Sequence, residues 1–171
     1  AFSISNDFLN SDFYLVILGD YEQRYLTYYE YLLDLVEKNG LYKKIEFRGY
    51  VSGMEKEKLF AESYFTFLPS QTENFGNVVI ESLNQATPVV ASKKTPWEIL
   101  KKAECGFWID NTSDEIAKII DHIICLPQQD YLQYRKKSVQ LVDKYFNINN
   151  RIQEWIEVYN NLEKKPKTCG N

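Results

Sequence analysis

The strongest constraint on the fold is an alternation. Short apolar runs, each closed by a glycine, a proline or a polar turn, are separated by longer stretches with helical spacing. "DFYLVILGD" holds a first strand, Phe13 to Leu18, and "KKIEFRGYV" a second near Ile45 to Arg48. "YFTFLPS" gives a third, Tyr64 to Leu68, halted by Pro69, which cannot donate to a ladder. "TPVVAS" and the shorter "GFWID" supply a fourth and a fifth. Nearly continuous apolar runs of this kind suit strands buried on both faces. Between the first two, Tyr25, Tyr28, Tyr29, Leu32, Leu35 and Val36 recur at three- and four-residue steps, and Gly40 stops the helix they define. Glu55 to Glu62 predicts a short helix, and about Gly76 to Gln85 another. Further helices are expected at about Ser113 to Leu126, Asp130 to Tyr145 and Ile148 to Lys164.

Strands alternating with helices build β-α-β units, whose right-handed crossovers cover a parallel sheet on both faces. The expected architecture is therefore an α/β, Rossmann-like, three-layer domain with a doubly wound parallel sheet. At 171 residues the chain is one domain by length, drawn here over residues 1–165, with a frayed tail at 166–171. "AFSISNDFLNSD" is polar and irregular, and a strand follows almost at once, so the sequence reads as though it opens partway through a larger protein.

Several function classes drop out. The formal net charge is −4 and the lysines are scattered, whereas a nucleic-acid surface needs a concentrated basic patch. No apolar run approaches the ~20 residues needed to cross a bilayer, and nothing resembles a signal peptide. Cys105, Cys125 and Cys169 are odd in number and far apart, which fits reduced thiols better than a disulfide framework or a zinc site. His122 is the only histidine and lies in the apolar run "IIDHIICL", so it reads as structural and leaves Ser-His and Cys-His catalysis without a base. No Asp-x-Asp pair is present, and no metal site is expected.

In an open parallel sheet, ligands bind beyond the carboxyl ends of the strands. Four segments lie there: "GDYEQ", "RGYVSG", "PSQTENFGN" and "SKKTPWE". The first lacks the Gly-x-Gly-x-x-Gly pattern and reads as a plain turn. "PSQTENFGNVVIE" says more. Gly76 at a helix start lets backbone approach a ligand closely, and the free N–H groups of the first turn attract an anion such as a diphosphate. Glu73, just before that helix, could accept hydrogen bonds from sugar hydroxyls; equally, Glu73 or Asn74 could simply cap it. At ~100° per residue, Val79, Ile80, Leu83 and Ala86 share one arc and Glu81 falls opposite, on a face either solvated or lining a cleft.

Glu73, seven residues, then Glu81 resembles the E-x7-E signature of retaining glycosyltransferases with two Rossmann domains, the GT-B architecture. "LPSQTENFGNVVIESLNQATPVVAS" is similar to family 4 of that group. "GDYEQRYL", "IEFRGYVS", "TPWEILKKAECGFWI" and "RIQEWIEVY" match the family's other landmarks in order, so the resemblance runs from about Phe13 to Tyr159.

The resemblance implies the carboxy-terminal, donor-binding half of such an enzyme, without its amino-terminal acceptor domain. It assigns Glu73 to the transferred sugar beside the reacting centre, and Glu81 to the ribose hydroxyls. Ser70 and the backbone at Asn74, Phe75, Gly76 and Asn77 would face the sugar and diphosphate, and Gly49, Tyr50 and Val51, with Gly19 and Asp20, the base. It further implies metal-independent transfer, with no cofactor, from a UDP- or GDP-sugar to a glycan or lipid-linked acceptor. Surface polysaccharide assembly follows by family habit, in the cytoplasm or at the inner membrane face, and this half alone would be inactive. Departures are visible. No Arg/Lys diphosphate clamp precedes the first strand, Lys93 and Lys94 lie on a ligand-facing loop outside that motif, Tyr21 stands where glycine is usual, and Gln85-Ala86 replaces Cys-Gly. A non-catalytic nucleotide-sugar-binding module and a sugar-nucleotide epimerase or phosphorylase of similar fold are the alternatives.

Overall fold

The computed structural model describes residues 1–163; Cys169 and the tail lie outside them. Five strands form: β1 Leu15–Leu18, β2 Ile45–Gly49, β3 Thr66–Leu68, β4 Val89–Ser92 and β5 Gly106–Ile109. Eight helices accompany them: α1 Asn6–Asn10, α2 Leu26–Lys38, α3 Gly53–Glu62, α4 Asn77–Asn84, α5 Ile99–Lys102, α6 Ser113–Ile124, α7 Gln128–Tyr145 and α8 Ile148–Glu163. A 3-10 turn at Gln23–Tyr25 leads into α2. All strand pairings are parallel, so the architecture is the expected Rossmann-like α/β type.

The single doubly wound sheet is not what the hydrogen bonds draw. β1 pairs with β2, and β3-β4-β5 form a separate sheet. No ladder joins the two sheets among the described residues. Between the halves the rings of Phe13 and Tyr64 lie 5.0 Å apart, so side chains rather than a ladder meet there.

One segment read as irregular is helical, and a further short helix, α5, falls where no element was expected. Ser5 caps α1 by accepting from the Phe8 amide and donates to the Asp121 carboxylate on α6 at 2.5 Å. Long-range bonding therefore fixes a turn too short to show periodicity. α5 is a single turn after "TPWE", too short to show a period. α2 ends as Gly40 predicts: Leu41 N–H donates to Val36 O and Gly40 N–H to Glu37 O, the Schellman pattern, with Gly40 at φ 66°.

The core gathers around β4, buried along its whole length between two paired strands. Val79 and Leu83 of α4, Leu100 of α5, and Leu141 and Val142 of α7 close on it. Each such side chain contributes about 1.5–3 kcal/mol through burial. Buried hydroxyls are satisfied: Ser82 donates to Thr66 Oγ1 at 2.8 Å, and Thr87 to the Phe60 carbonyl at 2.5 Å. Val79 and Leu83 thus lock one face of α4 onto the sheet, which presents the start of that helix at the sheet's carboxyl rim.

Candidate functional site

Two glycines join the loops that leave β1 and β2. Gly19 (φ 132°) donates its N–H to the carbonyl of Gly49 (φ 76°) at 2.8 Å. The Asp20 carboxylate accepts from the Tyr21 amide at 2.8 Å, and Tyr21 stacks on Tyr29 with centroids 4.3 Å apart. Tyr50 is exposed beside this junction and Val51 half-buried. Gly19, Asp20, Gly49, Tyr50 and Val51 therefore lie in one neighbourhood.

The loop before α4 forms the second. Gly76 is the N-cap of α4 at φ 76°, and no side chain caps the helix. Glu73 Oε1 accepts instead from the Asn74 amide at 3.1 Å, so the carboxylate belongs to the loop and not to the helix end. A Cβ on Gly76 would lie 3.1 Å from both Glu73 Cγ and Leu68 Cδ2, and 3.3 Å from Trp97 Nε1. Backbone angle and packing both demand glycine here. The first amides of α4 keep their capacity to bind an anion, helped by the helix dipole.

The sequence reading gave Trp97 no role. Its indole N–H donates to the Phe75 carbonyl, and its buried ring lies 5.4 Å from Phe75 and 5.7 Å from Phe146 at the end of α7. One tryptophan ties the Glu73–Asn77 loop to the segment after β4 and to α7. The available signal was a large apolar residue between Pro96 and Glu98, on a segment already marked as ligand-facing. Asn111 holds the same loop further back, donating to the Pro69 carbonyl at 2.7 Å, next to half-buried Ser70.

Glu81 lies on the outward face of α4, beside buried Ser82 and Leu83. It pairs with Lys56 of α3, Nζ to Oε2 at 2.6 Å. Glu73 precedes α4 and Glu81 lies within it; they have different partners, and neither lines either of two surface hollows on the domain. One, lined by Phe67, Val90, Ile109 and Ile116 among others, lies between β3–β5 and α6; the other, lined by Val36, Tyr42 and Phe47 among others, lies between α2 and β2. Lys93 is held by Asp110 at 2.6 Å. His122 is exposed on α6 and packs edge-on against Phe107, 5.6 Å between centroids. Among the described residues no cluster of three metal-binding side chains occurs, and no helix is long and apolar enough to cross a membrane.

A parallel α/β layer with two glycine-bearing loops and an uncapped helix start along one rim is the nucleotide-binding class of Rossmann-like domain. Within that class the chain belongs to the family described as Glycosyl transferases group 1, whose profile matches residues 1–140. It is 31% identical over 148 residues to an uncharacterized glycosyltransferase of Methanocaldococcus jannaschii, covering 85% of this chain and 36% of that protein. The chain spans little more than a third of that relative. The carboxy-terminal domain of a Francisella tularensis glycosyl transferase group 1 protein, LpcC, superposes with TM-score 0.76 at 22% identity, over 86% of this chain and 77% of that one. Anabaena HepE, solved in complex with UDP, superposes with TM-score 0.77 at 22% identity, over 87% and 41%. The fold is that of a GT-B carboxy-terminal domain.

Proposed function

We propose that the chain is the donor-binding half of a retaining, metal-independent glycosyltransferase that takes its sugar from a UDP- or GDP-sugar. The observation that carries this reading is the start of α4. Gly76 holds a left-handed backbone angle, no side chain occupies the first-turn amides, and Glu73 stands immediately before them. Those amides suit the diphosphate, and a nucleoside diphosphate is the leaving group whose charge must be stabilised during transfer. Asn74, Phe75, Gly76 and Asn77 line the sugar and diphosphate, with Ser70 behind them. Glu73 accepts from the sugar hydroxyls beside the reacting carbon, without acting as a base. Glu81 accepts from the ribose, and Gly49, Tyr50 and Val51, with Gly19 and Asp20, flank the base. A HepE structure in complex with UDP-glucose supports a nucleotide-sugar as the ligand. The acceptor, a glycan or lipid-linked saccharide of surface polysaccharide assembly at the cytoplasmic membrane face, binds a second domain. That domain supplies the opposite wall of the site.

Calorimetry on the 171-residue chain with UDP, GDP and ADP tests this. Weak binding of one nucleotide is expected, reduced about tenfold or more in Glu81→Ala through loss of a charged hydrogen-bond acceptor. Absence of binding to all three refutes it. Transfer by the isolated chain is expected to be undetectable, and robust turnover without an added domain would refute the half-site reading.

A further inference from the structure

Glu81 is paired on one side. Its Oε2 is fixed by Lys56 Nζ at 2.6 Å, while Oε1 has no partner among the described hydrogen bonds and ion pairs. The lysine is also oddly placed for helix stability. It is the fourth residue of α3, at the edge of the first turn, where the macrodipole disfavours a cation. As a salt bridge the pair gives little in return, because both side chains keep about a third or more of their surface in water. What the contact does accomplish is geometric. α3 follows directly on the Gly49–Val51 loop, so Lys56 joins the neighbourhood proposed for the base to the glutamate proposed for the ribose. Lys56 Nζ also lies 5.9 Å from the Phe60 ring centroid, which helps keep the ammonium over the α3 surface.

A carboxylate with one oxygen held keeps its other oxygen open as an acceptor, and the ammonium holding it keeps two further N–H donors. Side by side, these form a donor–acceptor pair matching two adjacent hydroxyls, one donating and the other accepting. We propose that Lys56 is a positioning and specificity residue: it sets the rotamer of Glu81 and, with it, reads the vicinal diol of the nucleotide's ribose. This deepens the proposed function and rests on it. The sequence pattern singled out Glu81 alone; the partner became visible only when α3 and α4 packed together.

The test compares a nucleoside diphosphate with its 2′-deoxy counterpart, using UDP with dUDP and GDP with dGDP, on the wild-type chain, Lys56→Met and Lys56→Arg. Melting temperatures are measured alongside, and are expected to stay within about 2 °C because surface ion pairs are weak. The wild type is expected to favour the ribonucleotide by about tenfold, the scale of one hydrogen bond to a charged group. In Lys56→Met that ratio should fall to about twofold or less, and Lys56→Arg should restore most of it, since a guanidinium can still hold one carboxylate oxygen. A lysine that merely attracts phosphate would weaken both ligands equally and leave the ratio unchanged, which overturns the proposal. So does a wild type that binds UDP or GDP without discriminating against the deoxy form, although the donor-site reading then survives. A wild type that binds no nucleoside diphosphate refutes both.

Discussion

Replacing Trp97 by Phe isolates what one indole N–H does for the loop before α4. The side chain is buried, donates to the Phe75 carbonyl and packs against Phe75 and Phe146. Phe preserves most of the ring contacts but removes the donor and the five-membered ring of the indole. The lost hydrogen bond costs about 1 kcal/mol. Removing roughly 40 Å³ from a packed site, at ~24 cal/mol per Å³, adds about 1 kcal/mol more. Together, about 2 kcal/mol corresponds to a fall of about 4–8 °C in melting temperature for a chain of this size. Thermal unfolding followed by far-UV circular dichroism measures the fall, and a urea titration confirms the free energy. A second consequence is local: Phe75→Ala should cost less in the Trp97→Phe background than in the wild type, because the two residues share one contact. A melting shift under about 1 °C, or strictly additive losses, would refute the claim that Trp97 holds this loop in place.

Other substitutions probe the frame and the rim. Gly106→Ala would put a Cβ 2.0 Å from the Val89 carbonyl oxygen, a backbone atom of the central strand that cannot yield. A loss of about 3 kcal/mol or more, or failure to fold, is expected in urea titration, and near-wild-type stability would contradict the β4–β5 register. Gly76→Ala meets both a φ of 76° and contacts at 3.1 Å with Glu73 and Leu68. The cost should be about 1–3 kcal/mol, with nucleotide binding lost; calorimetry checks the second effect and thermal unfolding the first. Cys105 gives a pH signature. Burial pushes its thiol from the ordinary 9.0 up to about 12. Below pH 9 the thiol is protonated in both states and the stabilisation is complete. Above it the unfolded chain loses the proton first, so stability drains away between pH 9 and 12, at up to about 1.4 kcal/mol per pH unit. Cys105→Ala should flatten the pH–stability curve in that window, and parallel curves for the two proteins would contradict the burial account.

The elements most legible in the sequence are those whose signal is local. β4 announces itself as an apolar run bounded by Pro88 and Ser92, and α2 ends at Gly40 because only a residue tolerant of φ 66° closes that Schellman turn. The sequence places the first and third strand starts at Phe13 and Tyr64, and the ladders begin at Leu15 and Thr66, because apolar flanking residues extend the pattern beyond the ladder. α1 is too short to show a period, and its anchors are long-range: the Asp121 carboxylate, more than a hundred residues away, and the buried Phe8 ring. The division of the sheet depends on which strand edges meet, which no periodicity records. At the candidate site, glycine identity and loop position marked Gly19, Gly49 and Gly76, because positive φ restricts the choice of residue. Lys56 and Trp97 left no such trace. Their roles arise from α3 meeting α4, and from the segment after β4 meeting the loop before α4.

The most direct measurement is a titration of the isotope-labelled chain with UDP and GDP, following backbone amide resonances. The account expects the largest shifts in the amides of Asn74 to Val78, with smaller ones around Gly49 to Val51 and at Glu81. Saturating changes confined to other surfaces, with the amides at the start of α4 unmoved, would contradict it.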